Sequence, residues 1–142
     1  EYYHGIDGSN ALTKKVKQIQ IPETVTEIET CCFGGFDNVS SITLPSKLKE
    51  LEYNVFFGCN NLESVVLPEA LEELTIWGFG VFERCDKLNK IEISEKNTKY
   101  TAQNGCIMSK DKKTLYFVYS NKKTFKIPST IPIPALRIGT TA

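Results

Sequence analysis

The feature that most constrains this chain is a repeat of 23 residues. Val16, Val39 and Leu62 fall at that spacing, as do Ile19, Ile42 and Val65, then Ile21, Leu44 and Leu67, then Pro22, Pro45 and Pro68. Val25, Leu48 and Leu71 keep the same phase, as do Ile28, Leu51 and Leu74, and Cys32 with Val55. Apolar residues held in register at one fixed period identify a solenoid, in which each unit buries its apolar edge only against its neighbours. Such arrays present surfaces and seldom carry out chemistry. The expected fold is therefore a repeat solenoid, mostly β, with short parallel strands stacked one repeat on the next.

One unit shows why. Ser41-Ile42-Thr43-Leu44 alternates polar and apolar residues, the pattern of a half-buried strand. Pro45 ends it by removing an N–H donor. Leu48-Lys49-Glu50-Leu51 returns two apolar side chains to the core as a second short extended segment. Val55, Phe56 and Cys59 fill the turn that leads back, and Asn60-Asn61 supplies polar turn residues. Stacked units bring identical apolar residues into columns.

Val39-Ser40-Ser41-Ile42-Thr43-Leu44-Pro45 and Leu62-Glu63-Ser64-Val65-Val66-Leu67-Pro68 fit a strand of the form LxxIxIP. Val25-Thr26-Glu27-Ile28, Leu48-Lys49-Glu50-Leu51 and Leu71-Glu72-Glu73-Leu74 fit a following VxxI, and Val55-Phe56-Phe57-Gly58-Cys59 and Val81-Phe82-Glu83-Arg84-Cys85 fit the closing aromatic and cysteine. The chain thus resembles the BspA-type, or Treponema-pallidum-type, leucine-rich repeat. The resemblance covers residues 16–93 and resumes at Phe125-Lys126-Ile127-Pro128. It departs where Glu29, Glu52 and Thr75 replace the family's usual glycine and where Phe36 replaces a cysteine. It implies a cell-surface or secreted protein of a bacterium or parasitic protist, acting in adhesion to host proteins such as fibronectin or fibrinogen or in co-aggregation.

Two interruptions break the period. Leu74 to Phe82 is three residues longer than Leu51 to Phe56, and the excess falls in Ile76-Trp77-Gly78-Phe79-Gly80. Repeat insertions map to loops, so Trp77 and Phe79 are expected either to fold over the core or to form an aromatic contact point of the kind enriched at interfaces. The second interruption runs from Ser94 to Lys123. Tyr100–Gln103 and Cys106–Ser109 flank Asn104-Gly105, the strongest short hairpin turn, and Thr114–Tyr119 reads as a further strand. The division expected is a segment at 1–15, three repeats and the start of a fourth at 16–93, an antiparallel β-hairpin insert at 94–123, and a partial, truncated repeat at 124–142.

The net charge is zero, but residues 1–87 are acidic and residues 88–142 basic, which allows end-to-end self-association between copies. Glu27, Glu50 and Glu73 share one register, so stacking makes a carboxylate ladder that suits a basic partner or a divalent cation, or is relieved by Lys47 and Lys49 and solvent. Lys110, Lys112 and Lys113 make the turn of the insert basic, suited to an anionic glycan or to discouraging edge-to-edge pairing. The five cysteines read as small buried residues, with a Cys59–Cys85 bridge left open by their shared register.

Catalytic signatures do not turn up. The single histidine, His4, falls in the N-terminal segment ahead of the repeats and would have to fold back to pair with a cysteine or serine, and no metal-ligand or nucleotide motif occurs. Asn38-Val39-Ser40 is formally an N-glycosylation sequon. No apolar run approaches the roughly 18 residues that cross a bilayer, and no nucleic-acid partner, cofactor, metal or catalytic residue is expected. The function expected is a non-enzymatic protein-interaction module, with a structural spacer or an anionic-glycan-targeting module as alternatives.

Overall fold

The structure, a computed structural model, describes residues 13–75, 80–119, 126–127 and 129. Two parallel sheets carry the repeats. One is built from the second elements, β1 (Glu27–Ile28), β3 (Glu50–Leu51) and β5 (Glu73–Leu74), in the order β1-β3-β5. The other is built from the LxxIxIP strands, β2 (Ser41–Thr43), β4 (Ser64–Leu67) and β6 (Lys90–Ile93), in the order β2-β4-β6. Ile28 faces Leu51 and Leu51 faces Leu74, while Ile42 faces Val65 and Val65 faces Ile91, so the sequence columns are the observed registers.

The columns seal the interior. Leu48, Leu51, Val55, Leu67 and Leu71 are essentially inaccessible, and Val39, Leu62 and Leu88 continue the column that begins at Val16. Aromatic rings stack along the axis. Phe33 lies 5.8 Å from Phe56, and Phe56 lies 5.6 Å from Phe82, both nearly parallel. The three extra residues before Phe82 therefore leave the column undisturbed; they are absorbed between Thr75 and Gly80. Trp77 and Phe79 lie outside the described residues.

The turns are laddered as regularly as the strands. Phe33 N donates to Val55 O (2.9 Å), and one repeat on Phe56 N donates to Val81 O (3.0 Å). Gly35 N donates to Phe57 O and Gly58 N to Glu83 O. Gly35, Gly58 and Arg84 occupy one register, and all three have positive φ (76°, 69° and 57°). Glycine fits that conformation without cost, whereas Arg84 holds it against a steric penalty. Its guanidinium lies 5.6 Å from the Phe57 ring centroid, a cation–π contact that offsets part of that penalty.

The insert is a three-stranded antiparallel sheet of β7 (Tyr100–Gln103), β8 (Cys106–Ser109) and β9 (Leu115–Val118). It packs against the repeat that precedes it. Phe117 continues the ring column 6.1 Å from Phe82, and the Tyr119 hydroxyl donates to Ile91 O on β6.

The first residues of the insert are also the fourth repeat. Asn97 stands one unit after Leu71, and Tyr100 one unit after Leu74. Both are buried, but in place of apolar contact they satisfy the backbone of the last described turn. Asn97 Nδ2 lies 2.9–3.2 Å from the carbonyls of Pro68, Glu69 and Leu71, and its Oδ1 accepts from the N–H groups of Lys99 and Tyr100. The Tyr100 hydroxyl accepts from Leu74 N and donates to Glu72 O. These contacts end the β1-β3-β5 sheet by pairing backbone groups that a following repeat strand would otherwise pair.

Candidate interaction surface

The outer face of the β1-β3-β5 sheet carries the carboxylate ladder. Glu27, Glu50 and Glu73 are direct partners across the strands, with Glu27 and Glu73 exposed and Glu50 half-exposed. The column continues into Lys99, one unit beyond Glu73, whose Nζ lies 3.0 Å from Glu73 Oε1. That hydrogen bond raises the lysine's pKa. Of the relief the sequence allows, by Lys47, Lys49 and solvent, the structure shows Lys49 paired with the neighbouring Glu72 at 3.8 Å, while Lys99 pairs with Glu73. Among the described residues no group of three or more His, Cys, Asp or Glu side chains could hold a metal ion.

Carboxylates also tie turn to turn. Glu52 Oε2 accepts from the N–H (3.0 Å) and hydroxyl (2.6 Å) of Thr30, and Glu23 Oε2 accepts from the N–H and hydroxyl of Ser46. These bonds hold both carboxyls below the ordinary carboxylate range. A depressed folded-state pKa gives stability that is present above the unfolded value and lost as pH falls through the folded one. The thermal midpoint should therefore drop as pH falls from about 6 to about 2. Glu52→Gln should flatten part of that drop; an unchanged pH profile in the variant would show that the Thr30 clamp does not form.

The β2-β4-β6 sheet turns Ser41 and Thr43, Ser64 and Val66, and Lys90 and Glu92 outward, with Lys90 and Glu92 paired at 2.9 Å. Among the described residues, Val66 and Tyr53 are the exposed large hydrophobics, at 38% and 39%. Tyr53 escaped the sequence reading, although its register is that of Phe79 in the next repeat, and exposed aromatics are the usual anchors of interfaces.

The basic turn of the insert is a structured loop. Asp111 Oδ1 accepts from Ser109 Oγ (2.7 Å) and from Lys113 N, which holds its carboxyl below the usual range. Lys110 Nζ donates to Glu95 O and Lys112 Nζ to Gln103 Oε1. The turn brings Lys110, Lys112 and Lys113 together, on a different sheet from the glutamate ladder. Two of the three ammonium groups are already engaged within the insert.

The cysteines divide into two kinds. Cys59, Cys85 and Cys106 are buried thiols. Cys59 Sγ donates to Phe33 O and Cys85 Sγ to Phe56 O, each 3.1 Å and each reaching back one repeat, so the shared register serves two parallel hydrogen bonds and not a Cys59–Cys85 bridge. Burial pushes the Cys59 thiol up to about 11 and raises Cys85 further. Cys31 and Cys32 depart from the expectation of buried residues: Cys32 is exposed and Cys31 half-exposed, whereas Val55, in the register of Cys32 one repeat on, is buried. Iodoacetamide at about pH 8 should therefore modify Cys32 first and Cys31 next in the native protein, leaving the buried three unmodified until denaturant is added. Native labelling of Cys59 or Cys85, read by peptide mass spectrometry, would contradict this packing.

A family model described as a BspA type leucine rich repeat region, in six copies, matches residues 9–133. The chain belongs to that family. Among solved structures, this BspA-type chain is similar to a leucine rich cell surface protein from Faecalibacterium prausnitzii, at 26% identity and TM-score 0.53 over 57% of this chain and 21% of that one. It is also similar in fold to a leucine-rich repeat protein from Eubacterium ventriosum, at 24% identity and TM-score 0.57 over 77% of this chain and 34% of that one. The chain thus spans between a fifth and about a third of the length of these two proteins. No curated protein matches it.

Proposed function

We propose that this chain is a non-enzymatic protein-interaction module of a cell-surface or secreted adhesin, binding host or partner-cell proteins. The observation that carries the reading is the regularity of the outer face. Three repeats hold exposed side chains in fixed columns over a sealed core, so the surface is preorganised and binding costs little ordering entropy. Membership of the leucine-rich repeat family supports an interaction role, and the cell-surface neighbour from Faecalibacterium supports the location. The glycan-targeting alternative rests on the three lysines of the insert turn, of which Lys110 and Lys112 each give one of three ammonium donors to an oxygen of the insert.

The test is binding of the purified chain to a panel of matrix proteins and sulfated glycans, at low and at near-physiological salt. Salt-resistant binding to one protein is the expected result, and Trp77→Ala should then weaken it by about tenfold or more, as truncation of an interface aromatic does. Binding to sulfated glycans alone, vanishing with salt, would replace the adhesin reading with the glycan one. No binding to any member would favour a spacer.

A further inference from the structure

Cys31 and Cys32 are adjacent in sequence, and they are the thiols that solvent reaches. Cys32 is exposed and Cys31 half-exposed, whereas Cys59, Cys85 and Cys106 are buried and each aims its Sγ at a carbonyl oxygen. Among the described residues neither Cys31 nor Cys32 has a hydrogen-bond partner for its Sγ. The turn that carries the pair is held by backbone bonds. Cys32 N donates to Glu29 O (3.3 Å), Gly34 N to Cys31 O (3.0 Å), and Phe33 N to Val55 O in the next repeat (2.9 Å). Cys31 has a positive φ of 62°, and Asn54, one repeat on, has 57°, so the shape of this turn belongs to the repeat.

Adjacency works against a disulfide. The peptide between the two cysteines is trans, which sets their Cα atoms about 3.8 Å apart. Disulfide-linked Cα atoms usually lie roughly 4.4–6.8 Å apart. A bridge here would be strained and exposed, the kind that is readily reduced, so the dithiol is favoured.

The ligand that suits two adjacent thiols follows from what they lack. Structural zinc takes four ligands, and among the described residues no third His, Cys, Asp or Glu side chain joins the pair to make a metal site. A cation held by thiolates must also displace both protons. Burial raises both thiols above their ordinary range, and the Glu29 carboxylate raises Cys32 further. Trivalent arsenic meets neither limit. Two sulfurs and one further group satisfy it, and it takes each sulfur from a protonated thiol.

We propose that Cys31 and Cys32 form a dithiol site that captures trivalent arsenic as a cyclic dithioarsenite. Arsenous acid condenses with the two thiols: two As–O bonds break, two As–S bonds form, and each thiol proton leaves with a hydroxyl as water. Arsenic stays trivalent, so the step needs no oxidant or reductant. The ring that closes is one atom larger than the disulfide ring, which relieves its strain. The site shares no residue with the carboxylate ladder, Trp77 or the insert lysines, so it stands apart from the protein-interaction reading.

The test uses the full chain, reduced with a phosphine and freed of excess reagent. The probes are arsenite and phenylarsine oxide, with zinc sulfate as the contrasting metal. Native mass spectrometry should show one arsenic per chain with either arsenical. Both should slow iodoacetamide labelling of Cys31 and Cys32 together by at least about tenfold, while zinc leaves it unchanged. Cys31→Ser and Cys32→Ser, each at an accessible turn position, should each weaken phenylarsine oxide binding by about a hundredfold or more, because the second attachment is lost. Unprotected thiols in the wild-type chain would overturn the proposal without recourse to any variant. Undiminished affinity in either folded serine variant would overturn it too, as would protection by zinc equal to that by arsenite. So would a Cys31–Cys32 disulfide that persists in millimolar reduced glutathione, since the strain argument would then be wrong.

Discussion

Replacing Asn97 with alanine should destabilise the protein by about 4 kcal/mol, more than any exposed substitution. The amide sits 1% exposed among three carbonyls and accepts from two N–H groups. Its removal strands several buried backbone groups at once, and each costs about 1–3 kcal/mol when left unsatisfied, less whatever water recovers. Asn97→Leu is the sharper variant, because leucine is what the column holds at Leu48 and Leu71. If the position were ordinary core, leucine would be neutral or stabilising. The capping role predicts a loss of at least about 2 kcal/mol, since the N–H groups of Lys99 and Tyr100 still lose their acceptor. Urea unfolding at neutral pH measures both variants, and a neutral Asn97→Leu would refute the cap.

Phe56→Ala should cost about 3–5 kcal/mol, the range for truncating a buried aromatic. Phe56 is 1% exposed and stacked on both sides, by Phe33 and by Phe82. In a stacked array the loss falls on two interfaces, because each repeat is stabilised by its neighbours. Phe33→Ala removes a half-buried ring that stacks on one neighbouring repeat and should cost roughly half as much. Equal losses at Phe33 and Phe56, from denaturant midpoints, would mean that the ring column is not the unit of coupling.

Both predictions show where the sequence was legible and where it was not. Phe33 is one period before Phe56, so the whole ring column is legible from spacing alone, although only Phe56 and Phe82 carry the cysteine three residues on that marks the register. Asn97 and Tyr100 also keep the period, counted from Leu71 and Leu74. The apolar period does not mark them, because polar side chains that pair backbone stand there in place of leucines. The glutamate ladder was visible from register, but its partner Lys99 was hidden inside what reads as an insert. Cys31 and Cys32 looked like core residues because register says which column a residue occupies, and not whether a neighbouring repeat covers it.

The sequence by itself determined the repeat, the parallel registers, the apolar columns and the antiparallel insert, because each follows from periodicity and local turn chemistry. Only the tertiary structure decided where the described ladders stop and what pairs their backbone. Beyond β5, Asn97 and Tyr100 pair backbone groups that a further repeat strand would take; before β2, residues 16–21 pack their side chains in register without a backbone ladder. Which backbone groups a neighbour pairs depends on how the two segments meet in space, and a period, being the same in every repeat, carries no record of it.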